Sequence, residues 1–261
     1  MADPSPTDPD GTHFTLVGGD APVDDDRLAE LYAYPADLTR CLVRGNMITS
    51  LDGGAATDGT SGGLGAAGDR LIFRTLRELA DVIVVGAGTA HAENYSGAQM
   101  SVAQRGSRQR RGQSEVPPIA LVTRSGRIDH DWPVLTRTEV APLVLTCDDA
   151  AAEASARLAG AADVIACSAA DPAEVDPGAM LAALAGRGLR RVLCEGGPTL
   201  MGTFVEHGLL DELCLTTAPK LVGGSAPRIV AGGGHVLADM RREHLISDAE
   251  GYLYGRYTRV G

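Results

Sequence analysis

Arg191-Val192-Leu193-Cys194-Glu195-Gly196-Gly197-Pro198-Thr199-Leu200 is a short apolar run that stops at two glycines and continues as helix-forming sequence. The pattern predicts a buried strand that ends where a helix begins, with Pro198 in the first helical turn, where a missing N–H costs nothing. Such a junction attracts anions. Glycine lets a phosphate approach the backbone closely, and the unpaired N–H groups lie at the positive end of the helix dipole. The pyrophosphate of a dinucleotide fits that description, and so does a tight turn ahead of a surface helix.

A second junction of the same kind separates these readings. Asp81-Val82-Ile83-Val84-Val85-Gly86-Ala87-Gly88-Thr89 is an apolar run of the length expected for a strand covered on both faces, ending in Gly-x-Gly-Thr. The third glycine of a Rossmann fingerprint would fall at His91, so this is a different nucleotide fold. Thr89 is placed to cap the next helix and to touch phosphate at the same time.

Composition limits what such a pair of junctions can serve. The chain has 261 residues, 44% hydrophobic and 22% charged, which suits a soluble protein with one catalytic domain, taken here as residues 40–261. Residues 1–35 are rich in Asp, Pro and Gly, include Asp24-Asp25-Asp26, and are expected to form a flexible acidic arm. A net charge of -11 argues against nucleic acid as a partner, so an anionic ligand must be held by local arginines. No apolar run approaches the roughly 20 residues that span a bilayer, and residues 1–6 lack the features of a signal peptide. A cytoplasmic protein with no membrane partner is expected. The five cysteines, Cys41, Cys147, Cys167, Cys194 and Cys214, have no C-x-x-C spacing and read as reduced core thiols, with no metal site.

Periodicity predicts strands at 41–49, 82–85, 119–122, 143–146 and 164–167, alternating with helices at 69–80, 149–159 and 178–186. That alternation implies a mainly parallel sheet covered on both faces. Strands at 212–217, 228–230, 243–246 and 252–257 have no helices between them and should pair antiparallel at one edge. Between 97 and 118, Arg105, Arg108, Arg110 and Arg111 crowd a polar stretch. It reads either as a solvated loop or as a mobile basic flap over an anionic ligand.

Six motifs occur in order along the chain: Ser50-Leu51-Asp52-Gly53, Gly59-Thr60-Ser61, Leu76-Arg77, Val85 to Thr89, Glu195 to Thr199, and Pro219-Lys220-Leu221-Val222-Gly223-Gly224. Together they resemble the reductase domain of bacterial riboflavin biosynthesis, which is similar in fold to dihydrofolate reductase. The resemblance covers about residues 40–260. It implies a three-layer αβα fold with a mainly parallel central sheet and antiparallel C-terminal strands. It also implies NADPH-dependent reduction of 5-amino-6-(5-phosphoribosylamino)uracil to the ribityl product, by a homodimer. By position, Ile48 and Thr89 would line the nicotinamide and ribose, Gly86 would also bind the cofactor, and Thr123 with Arg124 would lie by the adenosine 2′-phosphate. Gly196, Gly197, Pro198, Thr199 and Leu200 would wrap the pyrophosphate. Arg124 and Arg127 fit a phosphate monoester independently, because a guanidinium fork matches its oxygens.

On the substrate side the resemblance implies roles for Asn46, Ser61, Arg77, Glu93 and Glu195. Asp69 opens the helix that walls the pocket in this fold, where it acts as an N-cap or as a carboxylate that binds ring N–H groups or delivers a proton. Asp69 and Glu195 are the expected catalytic groups. The chain departs from the family after Thr89, where Ala90 to Met100 keeps an acid, Glu93, but lacks the usual proline and phosphate-clamping arginine. Either an arginine of 105–111 replaces it, or the substrate differs. His91-Ala92-Glu93 resembles the H-x-E of zinc deaminases, but no P-C-x-x-C follows, so deamination is excluded. Two alternatives to the pyrimidine reductase remain: a dihydrofolate reductase with a pterin in the same pocket, and a non-catalytic NADPH-binding protein.

Overall fold

The computed structural model describes residues 12–19, 21–232, 234 and 236–260. Strands β1 (Phe14–Leu16) and β2 (Pro22–Val23) and helix α1 (Asp25–Leu31) precede the long strand β3 (Leu42–Thr49). Next come α2 (Ala67–Leu79), β4 (Val82–Gly86), α3 (Ala87–Ala92), α4 (Val102–Arg110) and β5 (Ile119–Val122). They are followed by α5 (Pro133–Thr136), β6 (Leu143–Thr146), α6 (Asp148–Arg157), β7 (Asp163–Ala166), α7 (Pro177–Gly186), β8 (Arg191–Cys194) and α8 (Pro198–Glu206). The last strands are β9 (Glu212–Thr217), β10 (Met240–Asp248) and β11 (Leu253–Arg259).

Among the described residues these strands form one eleven-stranded sheet in the order β2-β1-β10-β11-β9-β3-β8-β4-β5-β6-β7. Pairing is parallel from β9 through β3, β8, β4, β5 and β6 to β7, and antiparallel among β9, β11, β10, β1 and β2. The period of two along each central strand supplies two cores. Ile83, Val85, Ile119, Leu121, Val144 and Leu193 pack with Ile72, Leu76 and Leu79 of α2 on one face. Val82, Val84, Ala120, Leu145, Val192 and Cys194 pack with Met180, Leu184, Met201 and Phe204 of α7 and α8 on the other. This is the covered parallel sheet that the near-continuous apolar runs require. All five cysteines are buried and free within it.

Three elements differ from the sequence reading, each for a physical reason. Residues 14–31 are not a loose arm: β1 pairs with β10, and Leu28 and Tyr32 are almost wholly buried. The carbonyls at the end of α1 are capped by arginines from the sheet, Arg256 donating to Leu31 O at 2.8 Å and Arg44 donating to Tyr32 O. The edge left by the C-terminal hairpin is thereby extended by the chain's own N-terminal strands. Residues 1–11 lie outside the described residues. The expected strand at 228–230 does not form; that stretch runs as irregular chain between β9 and β10, where Ala231 N–H donates to Pro198 O at 3.0 Å.

The arginine-rich segment is neither a flap nor a plain loop. Ser101 and Gln104 close a capping box on α4, and Arg108 is fully buried. Its guanidinium donates to Glu78 O at 2.8 Å and Ala80 O at 2.6 Å, the carbonyls that α2 leaves unpaired at its C-terminus. Arg105 is held by Glu139 at 2.5 Å and Arg111 by Glu78 at 3.2 Å. None of these reaches the pocket to replace a phosphate-clamping arginine.

Beneath α1, a row of polar groups crosses four adjacent strands. Arg44 on β3 pairs with Glu212 on β9 at 2.6 Å, Glu212 pairs with Arg256 on β11 at 2.7 Å, and His244 on β10 stands opposite Arg256. The His244 ring packs edge-on against Tyr32, 4.8 Å between centroids. Burial, with Arg256 and Arg44 adding to it, pushes the His244 pKa down to about 4.

Two predictions follow from these contacts. Folded His244 stays neutral while the unfolded chain takes up a proton below its ordinary pKa of about 6.5, so the native state loses stability as pH falls through this window. The loss amounts to about 2 kcal/mol by pH 5, and urea unfolding at pH 7 and pH 5 should show it in the wild type but not in His244→Gln. Arg108→Ala strands the α2 carbonyls without donors and should lower the unfolding free energy by about 2–4 kcal/mol, read by the same titration at pH 7.

Candidate active site

At the carboxyl ends of β4 and β8 the two glycine junctions meet. Gly86 N–H donates to Gly196 O at 2.8 Å, and Glu195 N–H donates to Val84 O at 3.0 Å. Gly196 has φ +91°, a conformation that side chains resist, and the Gly196–Gly197 peptide is cis. A Cβ on Gly197 would fall on Thr89 Oγ1, so glycine lets the Thr89 hydroxyl sit against the start of α8. Gly197 is the N-cap of α8 and Pro198 its first residue, with no side chain capping the free N–H groups.

A groove of about 450 Å³ runs along this junction. The expected cofactor residues Gly86, Thr89, Thr123, Arg124, Gly197, Pro198, Thr199 and Leu200 all line it. Gly196 supports the groove from behind through its carbonyl rather than lining it, and Ile48 lies in the neighbouring pocket. Arg124 sits at the outer end, paired with Glu174 at 2.9 Å; both side chains are more than half exposed, so the pair is weak and the guanidinium free to change partners. Arg127 does not line the groove.

The second pocket, about 400 Å³, opens on the other side of Thr89 and Gly197 and gathers Asn46, Ile48, Ser61, Asp69, Glu93 and Glu195. Each acid has a different state. Glu195 is gripped by Arg77 through two 2.7 Å bonds and accepts the Tyr95 hydroxyl at 2.8 Å. Burial, with Glu195 beside it, raises the Tyr95 pKa well above its usual value, so the phenol remains a donor. Arg77 also stacks on Phe73, 4.1 Å from its ring centre. Glu93 accepts from the Ser61 N–H at 2.7 Å and its hydroxyl at 2.9 Å, fixing the turn before α2. Asp69 is not the N-cap: α2 begins at Ala67 after Ala66, and Asp69 lies in its first turn. Burial raises its pKa, while a hydrogen bond from Thr216 of β9 and the nearby Arg70 oppose that rise.

Phe73 and Tyr95 also line this pocket, and the sequence reading did not single them out. Phe73 follows Asp69 by one helical turn, a spacing that places both on one face and that the sequence did contain. Tyr95 lies in the stretch that departs from the family pattern, where no local signal marks its distant partner Glu195. Two of the motifs quoted above turn out to brace the fold. The Asp52 carboxylate is held down to about 2 by hydrogen bonds from Ser50, Val222 and Gly223, which ties Ser50–Gly53 to the loop after Lys220.

The RibD C-terminal domain family matches residues 42–254. A curated protein of Archaeoglobus fulgidus, named 2,5-diamino-6-ribosylamino-4(3H)-pyrimidinone 5′-phosphate reductase, is 28% identical over 73% of this chain and 86% of its own length. A protein of the same name from Methanothermobacter thermautotrophicus is 30% identical over 72% of this chain and 82% of its own. Among solved structures, a pyrimidine reductase-like protein of Corynebacterium diphtheriae superposes with a TM-score of 0.75 at 27% identity, covering 85% of this chain and 92% of that one. The fold shared with these neighbours is the dihydrofolate reductase-like one that the motifs implied. With the match spanning most of its length, this chain belongs to the RibD C-terminal domain family.

Proposed function

We propose that this chain is an NADPH-dependent reductase that converts the ribosyl group of a 6-(5-phosphoribosylamino)pyrimidine to a ribityl group. One observation carries the reading: the groove and the pocket share Gly88, Thr89, Gly197 and Pro198, so ligands in the two would touch there and nowhere else along their walls. The two curated relatives named above carry the name of a reductase of a 6-ribosylamino-pyrimidinone 5′-phosphate. The groove fits a dinucleotide, since the uncapped N-terminus of α8 offers N–H groups to a pyrophosphate and Gly88 has open space where a Cβ would stand. NADPH, when bound, supplies the hydride.

The protein's part is alignment. Thr89 and Gly197, which wall both cavities, set the distance between the ligands. Reduction adds a hydride to the ribosyl C1′ and a proton to the ring oxygen released when the sugar opens. Arg77 is committed to Glu195, so it positions that carboxylate and does not stand as a free cation. Arg124 exchanges Glu174 for the 2′-phosphate. The enzyme acts in the cytoplasm as a homodimer; sedimentation at micromolar concentration checks the assembly, and a strict monomer would refute it.

NADPH oxidation in the presence of the phosphoribosylaminopyrimidine, with mass spectrometry showing two added hydrogens in the product, tests the activity itself. Silence with both the 2-amino and the 2-oxo forms of the substrate would overturn the reading. Gly197→Val places a side chain at the phosphate position and against Thr89, and should raise the NADPH dissociation constant at least a hundredfold in a fluorescence titration. NADPH should bind at least tenfold more tightly than NADH, because a charge-assisted contact is worth about 1.5–3 kcal/mol, and Arg124→Ala should erase the difference.

A further inference from the structure

On the antiparallel half of the sheet, Cys214 of β9, Tyr254 of β11 and Ile246 of β10 join the core that contains Leu28 and Tyr32 of the N-terminal segment. The period of two sends Leu213, Leu215, Tyr257 and Leu245 to the opposite face. An antiparallel sheet that meets water on one side carries polar residues there. This face instead holds four large apolar side chains that are only half-buried, with Leu253 exposed beside them. Leu215, Leu245 and Tyr257 belong to neither of the two cores.

At Leu213 the face deepens into a groove of about 640 Å³, walled by Val205, Leu210, Val230 and Met240. On its rim Leu237 is 94% exposed, an apolar knob next to an apolar hole. Glu206, Arg228 and Arg259 line the same groove. A patch with knob and hole side by side, and with both signs of charge around them, is complementary to itself under a two-fold rotation. A chain of net charge -11 repels its own copies over most of its surface, whereas here two arginines stand against one acid. A second copy therefore meets the least repulsion on this face.

The segment that leads to Leu237 also walls the substrate pocket. Pro227 lines both the groove and that pocket, and its carbonyl accepts the N–H of Ala55, another pocket residue, at 2.8 Å. A Cβ on Gly202 would fall on Ala231 O, so the segment rests closely on α8, where Ala231 N–H also bonds Pro198 O. Between these anchors the chain has no regular structure, and whatever packs on Leu237 steadies Pro227.

We propose that a second copy of this chain docks about a two-fold axis on the sheet face formed by Leu213, Leu215, Leu245 and Tyr257. Leu237 of each copy enters the groove of the other, and the contact holds the pocket wall at Pro227. The homodimer named above thereby gains its contact surface. The link to the pocket rests on the reductase reading; the surface itself does not.

The test follows the full-length protein by sedimentation equilibrium, and by calorimetric titration with the 2-amino and 2-oxo phosphoribosylaminopyrimidines in the presence of NADP⁺, so that nothing turns over. The wild type should dimerise at micromolar concentration. Leu237→Asp, at a position too exposed for the fold to depend on it, should raise the dimer dissociation constant about a hundredfold, as loss of an interface anchor does. The resulting monomer should bind the pyrimidine about fivefold more weakly, the lower end of a typical coupling between sites. Val102→Asp, at a bare apolar position on α4 away from the groove, should change neither reading. A wild type that stays monomeric would overturn the interface and leave the groove to a different partner. So would a Leu237→Asp protein that dimerises as tightly as the wild type. A monomeric Leu237→Asp protein with unchanged pyrimidine affinity would overturn the link to the pocket. A dimer that Leu237→Asp breaks but that binds neither pyrimidine would sink the reductase reading together with the link, and leave the interface standing.

Discussion

Backbone meets backbone where β4 and β8 end, and the site depends on that contact. Gly86 donates to Gly196, and Gly197 packs against Thr89 with no room for a side chain between them. Because β4 and β8 are neighbours in the parallel sheet, both strands stop at the same level and both following helices begin there. Their first turns therefore line one groove. A side chain at Gly197 would collide with the Thr89 hydroxyl at the junction that the groove and the pocket share. The residue before the glycines, Glu195, is turned to the opposite side of the junction, where Arg77 and Tyr95 hold it.

Arginine has an unusual share of the architecture for a protein of net charge -11. Helix C-termini expose carbonyls that must find donors when buried, and a guanidinium brings five. Arg108 serves α2 in this way, and Arg44 and Arg256 serve α1. Arg44 and Arg256 also converge on Glu212, whose single negative charge they share within the sheet. A buried ion pair of this kind adds little net stability, but removing one member leaves a charge stranded. It therefore ties the N-terminal segment to one register against β3, β9 and β11. Basic residues that look like ligand-binding candidates in sequence are in large part committed to holding helices in place.

The pocket shows the converse, acids held in distinct states by their neighbours. Glu195 lies in a bidentate ion pair, Glu93 is a turn-forming acceptor, and Asp69 sits half-buried in the first turn of α2. Three carboxylates of the same formal charge thereby acquire three different capacities for ligand contact. The difference comes from the elements that surround them, since α2 supplies Arg77, the turn before α2 supplies Ser61, and the segment after α3 supplies Tyr95.

Apolar runs, glycine junctions and helix caps are local signals, and they specified the parallel sheet, the order of its central elements and the two glycine turns directly from the chain. The positions of Gly86, Thr89, Gly197 and Thr199 in the groove, and of Asn46, Asp69 and Glu195 in the pocket, were legible for the same reason. Pairings across long sequence separation were not. Nothing local marks Phe14 to Leu16 as the partner of β10, or joins Arg108 to the end of α2 about thirty residues earlier. Nor does any nearby residue reveal that Tyr95 reaches Glu195 or that Glu93 meets Ser61. The sequence determines which groups can donate, accept or pack; which of them meet is decided by strand order and helix placement, because hydrogen bonds act only over a few ångströms and the chain brings distant residues that close only when the sheet is complete.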